Sequence, residues 1–302
     1  MSVFSLIIVA AIRFSIVSHL EFLTKFSHGH CLERLPQAAS ALPELKALAC
    51  GENFSSLTTA QLFIATGLIH LFVVSGTHLV VLQKIFFKFA PQRSPWAQFI
   101  FLLILFLYAG VCEFNAPVTR SLLAIFTTML LSSRKLYWPW YFKTLLVGLL
   151  TLSLNPQWIQ SISLQLSWLA ALTLGLNQHL FRERSILFKQ TIFFIMLFPL
   201  LIYLQIPSPI IIVINIVFSP VLEFILFPLS ILVWVFPRLY PVFDFMITFL
   251  KTILSLVNLN FTPQIDQPPL YFCIFIWIFI FFVHVGIHVY SMKLKLPRKV
   301  NI

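Results

Sequence analysis

Two histidines and a serine stand out in the apolar stretch at residues 62–83, where polar side chains are costly. His70 and His78 flank Ser75. Ser75 and His78 are the residue types of a nucleophile and its general base, but the stretch offers no carboxylate to orient the histidine. The two histidines are also metal-ligand types, but a third ligand is missing from the stretch. We therefore expect no catalytic residue, no bound metal, no cofactor and no enzymatic activity.

The spacing of the polar side chains in this stretch indicates how a helix would present them. On a continuous α-helix, Thr66, His70 and Thr77 lie within about 40° of one another, while Ser75 lies on a different face beside Gly76. Either several faces of the helix contact protein, or the helix is broken near Ser75 and Gly76. Irregular backbone is tolerated at membrane depth where it is buried or lines a water-filled cavity. The residues of functional interest here are His70, Ser75, Gly76 and His78.

An arginine lies about one helical turn inside the apolar stretch at 117–133, which begins with Pro117. The simplest role of Arg120 is to extend its guanidinium group to the outer lipid headgroups. Its functional role would be to hold a phosphate group or a buried carboxylate such as Glu113 or Glu223. The sequence fits both roles equally well.

Two pairs of polar side chains recur at helical spacing in the stretch at 161–178. Ser161 and Gln165 share one helix face, and Ser163 and Ser167 share another. Hydrogen bonds between membrane helices are a common role for such residues. Gln165 and Ser167 are also candidates for a polar path through a helix bundle.

The stretch at 209–235 is too long for one straight crossing, because 27 residues reach about 40 Å against a core of about 30 Å. It contains Asn215 and Glu223, with Pro220 and Pro228 on either side of the glutamate. Each interior proline removes a backbone hydrogen bond. The sequence therefore predicts a discontinuous helix that crosses once or re-enters, with Asn215 and Glu223 as polar candidates.

Composition decides which kind of protein can hold these side chains. The chain has 302 residues, of which 60% are hydrophobic and 10% charged, whereas soluble domains carry about 25% charged residues. This excludes a soluble enzyme, a disordered chain and a disulfide scaffold. A membrane β-barrel is disfavoured because the apolar stretches do not alternate with period two. The expected fold class is all-α, a polytopic helical membrane protein.

Ten stretches are candidate membrane spans. With the N-terminus inside, alternate crossing puts 14 of the 20 Lys and Arg residues on the cytoplasmic side, including Arg238 and the C-terminal tail. The net charge of +11 then needs no nucleic acid to explain it. The span at 242–259 carries Asp244 and Lys251 and is a candidate to lie partly in the interface. The spans lie near 3–20, 62–83, 96–113, 117–133, 141–155, 161–178, 190–206, 209–235, 242–259 and 270–290.

The extracytoplasmic segment at 21–61 contains Cys31 and Cys50. An oxidising exterior allows these cysteines to form a disulfide, and two free thiols are equally compatible with the sequence. The His-Gly-His sequence at 28–30 has a metal-ligand spacing, but no Asp-His pair follows it. We therefore interpret it as a polar loop.

Several short motifs occur in the same order as in the ComEC family of competence permeases. The sequence GLIHLFVVSGTH at 67–78 resembles the family signature G-L-x-H-L-x-x-x-S-G-x-H. Thr77 and Leu164 stand where the family usually has Leu and Phe. The other similar segments lie at 48–52, 117–121, 164–170 and 215–220.

The resemblance implies a function in DNA uptake. Members of the family take up transforming DNA, one strand of which crosses the inner membrane through the competence domain. Larger members add an OB-fold region and a metallo-β-lactamase-like domain, and this chain resembles the transmembrane domain alone. The implied partners are single-stranded DNA, membrane lipids, an extracytoplasmic DNA receptor, a separate nuclease and a cytoplasmic motor. Self-association into a homo-oligomer is a further expectation.

The expected organisation has three parts: an anchor helix with a short extracytoplasmic segment (1–61), a channel domain (62–260), and a final helix with a basic cytoplasmic tail (261–302). The alternative function is a transporter or membrane scaffold of the same fold that handles a lipid or a small anion. The predicted translocation path comprises His70, Ser75, Gly76, His78, Arg120, Gln165, Ser167, Asn215 and Glu223.

Overall fold

The structure is a computed structural model. The predicted first span at 3–20, Ser75, and the end of the basic tail lie outside the residues that it describes. The regular elements within the described ranges are all helical, which agrees with the predicted all-α fold. The structure describes residues 23–52, 60–72, 76–92, 94–204, 210–256 and 269–295.

From residue 95 onward the described helices follow the predicted spans closely, whereas the predicted span at 62–83 is divided between several shorter elements. Short 3₁₀ turns at Ile69–Leu71, Pro156–Gln160 and Pro237–Leu239 connect some of them. In chain order the helices are α1 (23–34), α2 (Leu42–Cys50), α3 (Ala60–Ala65), α4 (Gly76–Phe89), α5 (Pro95–Val111), α6 (Ala116–Ser133), α7 (Trp140–Leu154), α8 (Ile162–His179), α9 (Ile186–Leu204), α10 (Ile210–Val221), α11 (Phe227–Val235), α12 (Tyr240–Ser255) and α13 (Leu270–Lys295).

Local sequence sets two of the helix starts. Ser94 precedes α5 and its Oγ accepts a hydrogen bond from the backbone N–H of Ala97 at 3.4 Å. Ser161 caps α8 in the same way, with the N–H of Leu164 as donor at 3.3 Å. These caps satisfy backbone donors that the first turn of a helix leaves without partners.

Among the residues that the structure describes, three helical segments are long and apolar enough, by length and composition, to cross a membrane. They are Ala116–Ser133, Ile210–Val235 and Leu270–Ser291. Shorter apolar helices lie at Pro95–Val111, Trp140–Leu154 and Ile186–Leu201. These helices fit a membrane protein, and the count of ten spans stays a prediction.

The long segment at 210–235 is interrupted more mildly than its two prolines predicted. Helical structure continues from Ile210 to Val235. A π-helical turn at Leu222–Leu226 separates α10 from α11, and the N–H of Phe227 bonds to the carbonyl of Leu222. Since a π turn changes the hydrogen-bond register, the chain passes both prolines without losing its helical path.

The predicted polar loop at 28–30 is wrong, because these residues belong to α1. Cys31 and Leu35 are both buried and lie one turn apart. His28 makes a hydrogen bond between its Nδ1 and the backbone carbonyl of Val111 at 2.8 Å. Tertiary packing of this kind stabilises a helix despite the poor helix propensity of Gly29.

The described chain clusters into two compact units, each with its own core. Unit 1 comprises residues 1–63, 68–118 and 220–258. In it, α2 and α12 pack on α11, and the π turn packs on α4. A disulfide joins Cys31 of α1 to Cys50 of α2 with a Cα separation of 5.9 Å.

Unit 2 comprises residues 64–67, 119–219 and 259–302. Its core forms where α8 packs against α7, α9 and α13. The central residues include Trp168, Leu172, Leu200 and Ile276. Gly148 on α7 leaves room for the Trp168 ring, which occupies the space that a Cβ would need.

Candidate functional site

The predicted helix at 62–83 is interrupted at Gly67, and the other possible break, near Ser75, lies outside the described residues. Gly67 adopts φ +73°, a left-handed conformation, and a Cβ there would lie 2.6 Å from Cγ2 of Ile211. Both facts favour glycine. The rings of Phe63 and Phe72 come within 4.4 Å of each other, whereas residues nine apart on a straight helix are separated by about 13.5 Å along its axis.

This interruption overturns the predicted stripe of Thr66, His70 and Thr77, because the stripe required one continuous helix. His70 lies in the 3₁₀ turn Ile69–Leu71, and its side chain is outside the described part of the structure. Gly76 begins α4. The two residues are therefore placed on separate elements of unit 1.

His78 of α4 is fully buried in unit 1. Its ring stacks on that of Phe227 with 4.2 Å between centroids and 22° between planes. Phe227 also meets Tyr108 edge to face at 6.3 Å. His78 thus contributes to the aromatic packing between α4 and α11.

Glu223 lies in the π turn of unit 1 and is half-buried. Its polar neighbours are the side chains of Thr77 and Lys84, both on α4. The Lys84 ammonium also lies 5.9 Å from the ring centroid of Phe224. The structure therefore places the predicted carboxylate near a cation of the neighbouring helix α4, which lowers the cost of placing it in an apolar segment.

Arg120 and Ser167 are brought together in unit 2. Nε of Arg120 on α6 donates a hydrogen bond to Oγ of Ser167 on α8 at 2.8 Å. Arg120 is 7% exposed, and it forms no ion pair with an acidic residue among those described. This burial disfavours the headgroup-anchor role, because an anchor keeps its charged end in the interface.

Gln165 makes the kind of interhelical hydrogen bond that is common for polar residues at its spacing. Its Nε2 donates to the carbonyls of Ile159 and Cys273, each at 3.3 Å, and so ties α8 to α13. Its Oε1 is buried without a partner in the described structure. Ser161, expected to share its face, instead caps the helix.

Asn215 is half-buried on α10. Its Oδ1 accepts a hydrogen bond from Oγ of Ser219 at 3.2 Å, one turn along the same helix. The predicted path residues thus fall into two groups. Unit 1 holds His70, Gly76, His78 and Glu223, and unit 2 holds Arg120, Gln165, Ser167 and Asn215.

Two histidine contacts in unit 2 were not predicted. Nε1 of Trp168 donates to Nε2 of His284 at 3.0 Å. The Tyr141 hydroxyl and Nδ1 of His288 lie 3.2 Å apart. The spacing of the two histidines, one turn apart on α13, was the available signal in the sequence.

Comparison with known proteins places the chain in a family. No curated protein and no solved structure matches it. A model of the competence protein family matches residues 48–290, which is most of the chain and spans α2 to α13. The chain therefore belongs to the competence protein family.

Proposed function

We propose that this chain is a channel component that passes single-stranded DNA across the inner membrane during natural competence. Membership of the competence family supports a role in competence. The observation that carries the proposal is the pairing of Arg120 with Ser167 inside unit 2. A transported strand is a polyanion, so its path needs cations and neutral donors.

The chemistry of Arg120 suits a phosphodiester. Nε is engaged by Ser167, which orients the planar guanidinium group and leaves its terminal nitrogens to bind oxygen. An acidic partner would neutralise the charge, and none of the described acidic residues pairs with it. Arginine binds two phosphate oxygens at once, a geometry that lysine does not reproduce.

The surroundings of Arg120 favour passage over tight binding. Gln165 and Ser167 on α8 are neutral, so they contribute polarity without charge. A path with few cations releases a strand that a dense cationic site would retain. We expect the channel to cross the membrane several times with a cytoplasmic C-terminus, and to act without hydrolysing its substrate.

In this proposal, DNA uptake requires other proteins besides the channel. An extracytoplasmic receptor would deliver DNA, a separate nuclease would degrade the second strand, and a cytoplasmic motor would supply energy. Lipids surround the helices, and copies of the chain would associate with one another. The chemistry of uptake and the resemblance to the family support these proposed roles.

The test is natural-transformation frequency in cells that carry single variants. Arg120→Ala and Arg120→Lys should both abolish uptake while immunoblots of membrane fractions show normal protein levels. Arg134→Lys is the matched control, because Arg134 is exposed at the other end of α6 and should transform normally. Wild-type frequency for Arg120→Lys would contradict the phosphate role.

A second readout separates DNA from other solutes. If a deletion strain transforms normally but loses uptake of a lipid or a small anion, the fold serves the alternative function. If the deletion abolishes transformation, DNA is the substrate of the pathway. Entry of labelled single-stranded DNA into wild-type spheroplasts, but not into spheroplasts of the deletion strain, then localises the defect to the inner membrane.

A further inference from the structure

Helix α12 presents three distinct faces. Its buried face packs into unit 1. Its polar face carries Asp244 and Lys251, which lie seven residues apart and so project within about 20° of each other. The buried side chains are Phe243, Ile247, Leu250 and Leu254. An exposed apolar stripe lies on the far side from this buried face and contains Val242, Phe245, Phe249 and Leu256, which are 50%, 71%, 60% and 79% exposed.

Asp244 caps the N-terminus of α2. Its Oδ2 accepts a hydrogen bond from the N–H of Ser40 at 2.7 Å, and its Oδ1 accepts one from the N–H of Ala41 at 3.0 Å. No local side chain caps this helix. A carboxylate at a helix N-terminus satisfies free donors and complements the helix dipole. Asp244 therefore fixes the beginning of α12 against α2.

Lys251 fixes the other half of α12 to the same short helix. Its ammonium forms an ion pair with Glu44, whose side chain is fully buried. A buried carboxylate without this partner would be strongly destabilising. Since α2 has only 9 residues, both ends of α12 are held beside one element of the predicted extracytoplasmic segment.

Two hydrogen bonds made by α1 show on which side of unit 1 the helices α5 and α11 end. His28 bonds to the carbonyl of Val111, the last residue of α5. Arg34 donates to the carbonyl of Val235, the last residue of α11, at 3.5 Å. These two positions on α1 are about 9 Å apart. The C-terminal ends of α5 and α11 therefore lie on the same side of unit 1.

From these contacts we propose that α12 begins and ends on the outer side of the membrane and does not cross it. The basic residues in the C-terminal half of α4, Lys84 and Lys88, define the cytoplasmic side by the positive-inside rule. Helix α5 therefore ends outside, and α11 ends beside it. The exposed apolar stripe of α12 then contacts the acyl chains of the outer leaflet. Asp244 binds the backbone N–H groups before α2, and Lys251 pairs with Glu44 of α2. This placement overturns the assignment of Arg238 to the cytoplasm.

The placement changes the path of the chain but not the side on which it ends. α13 crosses from outside to inside and delivers Lys293 and Lys295 to the cytoplasm, as the positive-inside rule requires. Residues 186–235 must then cross an odd number of times in total, so α9 and the α10–α11 run do not each make one complete crossing.

Cysteine labelling in spheroplasts tests the placement. In a Cys112→Ser/Cys273→Ser background, Arg238→Cys should react with a membrane-impermeant maleimide before permeabilisation. Lys88→Cys is the matched control on the opposite side and should react only afterwards. Labelling of Arg238→Cys only after permeabilisation would overturn the proposal.

A nitroxide probe tests the lipid contact independently. Attached at Phe249→Cys in vesicles, it should collide more with dissolved oxygen than with a water-soluble nickel chelate, at a depth within the outer leaflet. Greater access for the nickel chelate would show that the stripe faces water, and a depth in the inner leaflet would show that α12 crosses. Either result would overturn the proposal.

Discussion

Arg120 and Ser167 are joined by a hydrogen bond of 2.8 Å although 47 residues separate them in sequence. The bond links α6 to α8 within unit 2 and holds a buried guanidinium group in place. It connects two motifs that the sequence could only place in order along the chain. The contact therefore turns two polar residues into one candidate anion-binding group.

Removing the Ser167 hydroxyl tests this contact. We expect Ser167→Ala to lower transformation by about tenfold or more, because a hydrogen bond to a charged group contributes about 1.5–3 kcal/mol. Ser167→Thr keeps a hydroxyl and should retain most activity. Thr173→Val is the control, because the Thr173 hydroxyl bonds only within α8, to the carbonyl of Leu169. Equal loss in Ser167→Ala and Thr173→Val would point to general damage to the helix.

Gly148 should be intolerant of a side chain. A Cβ at this position would occupy the space of the Trp168 ring, so Gly148→Ala should destabilise the protein by about 1–3 kcal/mol. Thermal unfolding in detergent measures the effect. Gly286→Ala is the matched control, because nothing lies within 4 Å of a Cβ there, and its melting temperature should not fall.

The disulfide between Cys31 and Cys50 should stabilise the packing of α1 against α2. It closes a loop with a sequence separation of 19, for which the chain-entropy estimate is about 3 kcal/mol. We expect the Cys31→Ser/Cys50→Ser variant to unfold at a lower temperature than the wild type. A reductant should lower the wild type to the same value and leave the variant unchanged. A reductant effect on the melting temperature of the variant would show that a different disulfide contributes to stability.

Reporter fusions test the predicted orientation of the basic loops. Fusions at Lys88, Arg184 and Lys299 should all report the cytoplasm, because loops rich in Lys and Arg remain inside. A fusion within 113–117 serves as the external control. An extracytoplasmic signal at Lys299, with cytoplasmic signals at the other two, would contradict a crossing by α13.

The purified chain should not degrade DNA. The sequence contains no metal-ligand motif of the H-x-H-x-D-H type, and no carboxylate accompanies Ser75 and His78. Incubation of labelled single- and double-stranded DNA with divalent cations should leave both intact. Degradation that disappears in His78→Ala would contradict this expectation.

Local pattern was enough to predict the elements between residues 95 and 204. The beginnings of α5 and α8 follow from their capping serines, and long apolar runs identify the helices. The order of short motifs also indicated the family that most of the chain matches. These features depend on neighbouring residues, so periodicity and spacing report them directly.

Tertiary structure decided how the polar residues are used. The pattern left open a break near Ser75, whereas the structure interrupts the helix at Gly67, whose left-handed conformation and contact with Ile211 favour glycine. Asp244 and Lys251 looked like residues of a span near the interface, but they bind the backbone and a carboxylate about 200 residues away. Such partners leave no trace in local spacing.

The sequence by itself determined that this is an all-helical membrane protein with polar residues at costly positions. Only the tertiary structure decided that Arg120 meets Ser167, that His78 packs on Phe227 and that Asp244 caps α2. The physical reason is that lipid is as apolar as a helix surface, so hydropathy identifies a helix without showing which face meets protein. Packing and long-range hydrogen bonds make that choice, because each buried polar group must find a partner within the fold.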